Sequence, residues 1–188
     1  RLAEHYFSKG DVLLAIPHFR RALLIDPESF KCGLRIAQCL DRLGRASEAY
    51  DSLLHIMERG IARCEEAIQR EILQAFTNLC HRLGKELEVI DCLKSHSSLV
   101  ESTPALFYNL GLAFYKCNRF SEAQESFSRL KAVHPRHSAG YIGQAILYCQ
   151  LSQYDQAVRE LQAGRAAAPR DAQIIENLAV VQMKMGNP

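Results

Sequence analysis
The chain has 188 residues, of which 48% are hydrophobic and 23% charged, an ordinary balance for one folded domain. A net charge of +2 supplies no strong field for nucleic acid or an anionic membrane surface. No apolar run approaches the roughly 18–20 residues of a membrane span, so insertion into a bilayer is not expected.

In chain order, residues 1–29 read as a partial helix pair closed by "IDP" at Ile25–Pro27. Proline cannot continue a helix, and it pushes the preceding residue out of the α region. Residues 30–69 form a second pair with about six extra residues between roughly Ile56 and Arg70. That insertion, "MERGIARCEEAIQREIL", carries good helix formers and is expected to lengthen the helices there. It is either a lateral docking edge or a tolerated change of local geometry. Residues 70–103 form a third pair. In residues 104–137, "ALFYNLGLAFYKC" puts Leu106, Phe107, Leu110 and Phe114 at helical spacing. "NRF" is a turn, and "SEAQESFSRLKAV" resumes the stripe through Ala123, Phe127 and Leu130, with Ser121 expected to cap it. Residues 138–171 repeat the arrangement up to "AAP". Residues 172–188 hold one further helix and stop at "MGNP". A start at Arg1 and an end after a first helix are what a piece of a longer array would show.

These patterns share a ruler. Gly111, Ala145 and Ala179 stand 34 residues apart, as do Phe107, Tyr141 and Ile175, and Pro135 and Pro169. Upstream, Ala3 and Ala37, and Gly10 and Gly44, keep the step. From Gly44 to Gly84 it becomes 40, and then 34 returns through Asn118, Ser152 and Gly186. No strand alternation interrupts the pattern, so the chain is all-α.

A 34-residue unit with L-G-x-x-Y/F, a turn glycine, A-x-x-x-F and a closing proline resembles the tetratricopeptide repeat. "LFYNLGLAFYKCNRFSEAQESFSRLKAVHP" and "YIGQAILYCQLSQYDQAVRELQAGRAAAP" carry it most clearly. Ile61 and Glu101 depart from it, standing where proline is expected. The resemblance implies an α-solenoid, a right-handed superhelix of antiparallel helix pairs whose first helices line a groove. It also implies a scaffold or adaptor, not an enzyme, that takes a peptide or helix of a partner protein. The alternatives are a substrate-recognition arm of a larger enzyme, glycosyltransferase- or sulfotransferase-like, and a homo-oligomerisation module.

First-helix residues outside the packing stripes are expected to face that groove. Lys31, Arg35, Arg42, Asn78 and Arg82 make its first half polar and mostly basic. Tyr108, Leu112, Ile142 and Ile146 make the second half apolar, and exposed apolar surface marks binding. The ligand is therefore expected to carry apolar anchors over Tyr108–Ile146 and acidic residues towards the arginines. Asn109 and Asn177 share a register and suggest two rungs of an asparagine ladder, which some family members use to hold a peptide backbone. Asn78 and Asn109 also resemble a chaperone-tail carboxylate clamp. Gln74, Ala139 and Gly143 stand where its cations belong, so Hsp70 and Hsp90 tails are not expected as partners.

No phosphate loop, nucleophile elbow or paired-cysteine metal spacing appears, so no cofactor is expected. Seven scattered cysteines read as small hydrophobes in helices and favour a reducing compartment, the cytoplasm. "HPRH" at His134–His137 reads as a helix stop rather than a metal site.

Overall fold
The computed structural model describes residues 1–186, which contain α-helices, one 3₁₀ turn and no strand. The chain divides into two compact units, residues 1–85 and residues from 86 onward. The first holds α1 (Leu2–Lys9), α2 (Val12–Ile25), α3 (Phe30–Arg42), α4 (Ala46–Glu58), the 3₁₀ turn Ile61–Arg63 and α5 (Glu66–Leu83). The second holds α6 (Glu86–Ser95), α7 (Ser97–Ser102), α8 (Pro104–Lys116), α9 (Phe120–Val133), α10 (Ala139–Gln150), α11 (Tyr154–Ala167) and α12 (Ala172–Lys184). Within each unit, sequence neighbours pack on one another, and alternate helices also touch: α3 on α5, and α10 on both α8 and α12.

The 34-residue ruler has a backbone counterpart. Gly10, Gly44, Gly84, Asn118, Ser152 and Gly186 all take positive φ, between 57° and 86°. Each ends a first helix, where a left-handed residue lets the chain turn back and satisfies a terminal carbonyl. Asn tolerates that region, but for Ser it costs roughly 1–2 kcal/mol. Ser152→Gly is therefore expected to raise the urea midpoint by about 1 kcal/mol of stability, with a smaller gain at Asn118→Gly. An unchanged midpoint would mean that the turn has already relaxed its strain.

Two local expectations are corrected. Ser121 does not cap α9, which begins at Phe120 with Arg119 in the cap position. Arg119 instead grips Glu122, Nε to Oε2 at 2.7 Å, and Arg45 does the same to Glu48 at the start of α4. The hydrogen bonds from these arginines hold both glutamate pKa values below the usual carboxylate range. The second helix of residues 70–103 is also not continuous. It breaks at His96, whose Nδ1 lies 2.8 Å from Cys92 O, so α6 and α7 follow as separate helices.

The change of step to 40 residues falls where the 3₁₀ turn and α5 lie. Ile61 is buried there, and Gln69 Nε2 donates to Cys64 O at 2.7 Å, tying the turn to the long helix.

The second unit's core shows what the small residues do. Phe127 of α9 is wholly buried, and a Cβ added at Gly111 or Gly143 would stand 2.4 Å or 2.2 Å from its ring. Gly143, which the sequence places in the asparagine column, is a packing residue.

Candidate functional site
In residues 1–85, α1, α3 and α5 enclose a cleft of about 430 Å³. Arg35, Arg42 and Asn78 line it with Phe7, Gln38, Asp41, Glu71 and Gln74. Its cations are already engaged. Arg35 Nη1 donates to Glu71 Oε2 at 2.9 Å and to Gln38 Oε1 at 2.8 Å, while Arg35 Nε lies 3.6 Å from Glu4 Oε2. Lys31 Nζ lies 3.7 Å from Glu4 Oε1, and Arg82 pairs with Asp41. The Arg42 guanidinium sits 4.3 Å from the centre of the Phe7 ring and donates to Phe7 O at 3.3 Å. The basic half expected from sequence is therefore charge-balanced. Carboxylates on neighbouring first helices, Glu4 above all, reach the same face.

In the second unit, α8, α10 and α12 line a cleft of about 170 Å³ with Tyr115, Ile146, Cys149, Gln150, Asn177, Val180 and Lys184. Tyr115 Oη donates to Gln150 Oε1 at 3.1 Å across α8 and α10. Ile146 and Tyr108 are half-buried against the core, the Tyr108 ring 5.7 Å from that of Phe127. Burial raises the Tyr108 phenol pKa. Leu112 is half-buried, and Val180 is 41% exposed.

Two expected groove residues lie inside. Ile142 is 5% exposed and packs with Ala157, Leu161 and Ile174, and Asn109 is 7% exposed. Equal register along the repeats is not equal exposure. Asn177 is half-buried and spends its Nδ2 on Gln173 O of its own helix at 2.7 Å. The two asparagines are therefore not matching rungs.

Phe7 was not singled out from sequence, yet a signal exists. The steps of 34, 40 and 34 residues carry Phe7 through Asp41 and His81 to Tyr115, the aromatic of the second unit's cleft.

Cys39 and Cys80 are buried as small hydrophobes, whereas the other five cysteines are only half-buried. Burial pushes the Cys92 thiol pKa up to about 12. A rise from the ordinary value near 9 lowers the thiolate population about a thousandfold at pH 8. Cys92 should accordingly be among the slowest of the seven to alkylate with iodoacetamide, read by peptide mass spectrometry. Rapid labelling in the folded chain would contradict its burial. For stability the sign is fixed as well. The unfolded thiol ionises near pH 9 and the folded one only near 12, so this contribution is full below pH 9 and is lost as pH rises towards 12.

Neither chemistry nor metal is assembled from the histidines in "HPRH". His134 Nε2 lies 2.7 Å from Glu101 O, and His137 Nδ1 accepts from Ala139 N at 3.2 Å. Among the described residues, no three His, Cys, Asp or Glu side chains gather as a metal site, and no helix is long and apolar enough to cross a membrane.

Antiparallel helix pairs at a 34-residue step, small residues under the second helix and left-handed turns at a fixed register define a tetratricopeptide-repeat protein. Residues 108–172 match the family model for the tetratricopeptide repeat. Among solved structures, MamA superposes with a TM-score of 0.73 at 18% identity, covering 89% of this chain and 94% of its own. A tetratricopeptide repeat protein from Parabacteroides merdae gives 0.76 at 20% identity, covering 98% and 71%. YrrB, described as a TPR protein with an unusual peptide-binding site, gives 0.69 at 14% identity, covering 93% and 87%. These likenesses are likenesses of fold. No curated protein matches the chain by sequence.

Proposed function
We propose that the chain is a non-catalytic protein-interaction scaffold that holds segments of partner proteins against its first helices. The observation that carries this reading is the second unit's cleft, where Val180 is 41% exposed beside Ile146, Asn177 and Gln150. An apolar side chain left in water next to amides suits a ligand with an apolar anchor and a backbone to pair. The peptide-binding site described for YrrB supports the same use of this fold. Free, half-buried thiols agree with a cytoplasmic setting.

Peptides selected by phage display on the immobilised chain provide the test. Val180→Glu should weaken the selected peptides at least about tenfold, the effect of roughly 1.4 kcal/mol, while leaving the helical circular dichroism unchanged. Ile146 is a poorer probe because it also supports the core. If no selected peptide responds to Val180→Glu, the cleft is not the binding surface.

A further inference from the structure
An arginine donates hydrogen bonds and accepts none. The Gln38 atom 2.8 Å from Arg35 Nη1 must therefore be the carbonyl Oε1, which turns Gln38 Nε2 away from Arg35 as a donor. Among the described residues, Gln38 Nε2 meets no acceptor. On the neighbouring first helix, Gln74 Nε2 donates to Asn78 Oδ1 at 2.8 Å, and Gln74 Oε1 remains an acceptor. Both amides line the 430 Å³ cleft, together with the small side chains of Ala37 and Ala75.

The charges around these amides select against charged ligands. Arg35, with only 16% of its side chain exposed, is shared between Glu4 and Glu71, and Arg82 is held by Asp41. An acidic segment would meet Glu71 and Asp41 while the arginines are engaged. A basic segment would have to displace Arg35 or Lys31 from those carboxylates. A neutral main chain does neither, and each of its peptide units offers one carbonyl and one N–H.

We propose that this cleft takes the main chain of an extended, uncharged segment of a partner protein. Gln38 Nε2 donates to a backbone carbonyl, Gln74 Oε1 accepts from a backbone N–H, and a small or apolar side chain lies beside Ala37 and Ala75. This rests on the scaffold reading and adds to it the ligand's charge and the residues that read its backbone.

The probe is the capped peptide acetyl-Ser-Ala-Leu-Ala-Ser-amide, titrated into the ¹⁵N-labelled full chain. The side-chain amide resonances of Gln38 and Gln74 should shift, with an affinity that changes less than about twofold between 50 and 300 mM salt, since no charge pair forms. A backbone N-methylated peptide should bind at least about tenfold more weakly, the loss of roughly 1.4 kcal/mol. Gln38→Glu keeps an oxygen towards Arg35 but turns the donor into an acceptor. It should abolish the shifts while the chain stays folded. An analogue with glutamates in place of the serines that binds more tightly would overturn the proposal. Shifts confined to residues 86–186 would overturn it while leaving the scaffold reading standing, and no shift anywhere would sink both.

Discussion
Phe127→Ala is expected to destabilise the second unit by about 3–5 kcal/mol, measured by urea denaturation followed by circular dichroism. The ring enters from α9 between α8 and α10, is wholly buried, and fills the space that two glycines leave open. Removing it leaves a cavity that those glycines cannot close, because neither has a side chain to move in. The complementary change is also expected to be harmful. A Cβ at position 143 would lie 2.2 Å from Phe127 Cδ1, so Gly143→Ala overpacks the site at about 1–3 kcal/mol. Combining Gly143→Ala with Phe127→Leu should recover part of that loss, because the two positions share one space. A loss below about 1 kcal/mol for Phe127→Ala would show that α8 and α10 collapse onto each other.

This wedge marks where sequence reasoning succeeds and where it stops. The step of 34 residues places Gly111 correctly as a small residue beneath a second helix, because the steric need recurs in every unit. It does not show that Gly143 meets the same ring, since that contact joins one repeat to the next. Ile142 and Ile146 differ in the same way. Both are apolar first-helix residues, yet Ile142 packs against α11 and α12 whereas Ile146 borders the cleft. One helical turn along α10 decides which is core, and composition does not record it.

The charged face was misjudged for a related reason. Arg35 and Arg82 are visible as basic residues, but their neutralisation by Glu4, Glu71 and Asp41 depends on carboxylates 31 to 41 residues away in sequence. The left-handed turns, by contrast, are local and recur, so Gly10, Gly44 and Gly84 announce them directly.

In the first unit the largest expected effect lies where the repeat step changes. Phe76 of α5 is buried, and its ring lies 5.9 Å from that of Tyr50 of α4, nearly parallel at 25°. Lys85 Nζ stands 3.9 Å from the Tyr50 ring, so an ammonium, a phenol and a phenyl ring succeed one another across the α4–α5 contact. Phe76→Ala should cost about 3–5 kcal/mol, and Phe76→Leu, which refills much of the volume, distinctly less. The difference includes the ring pairing, worth about 0.5–1.5 kcal/mol, which a double-mutant cycle with Tyr50→Leu isolates. The chain has no tryptophan, so the near-ultraviolet circular dichroism of its tyrosines reports this contact without that interference. Phe76→Leu should diminish that signal while the far-ultraviolet helical signal persists. A coupling energy indistinguishable from zero would reduce the Tyr50–Phe76 pair to simple burial, and α4 would then be held to α5 by apolar area alone.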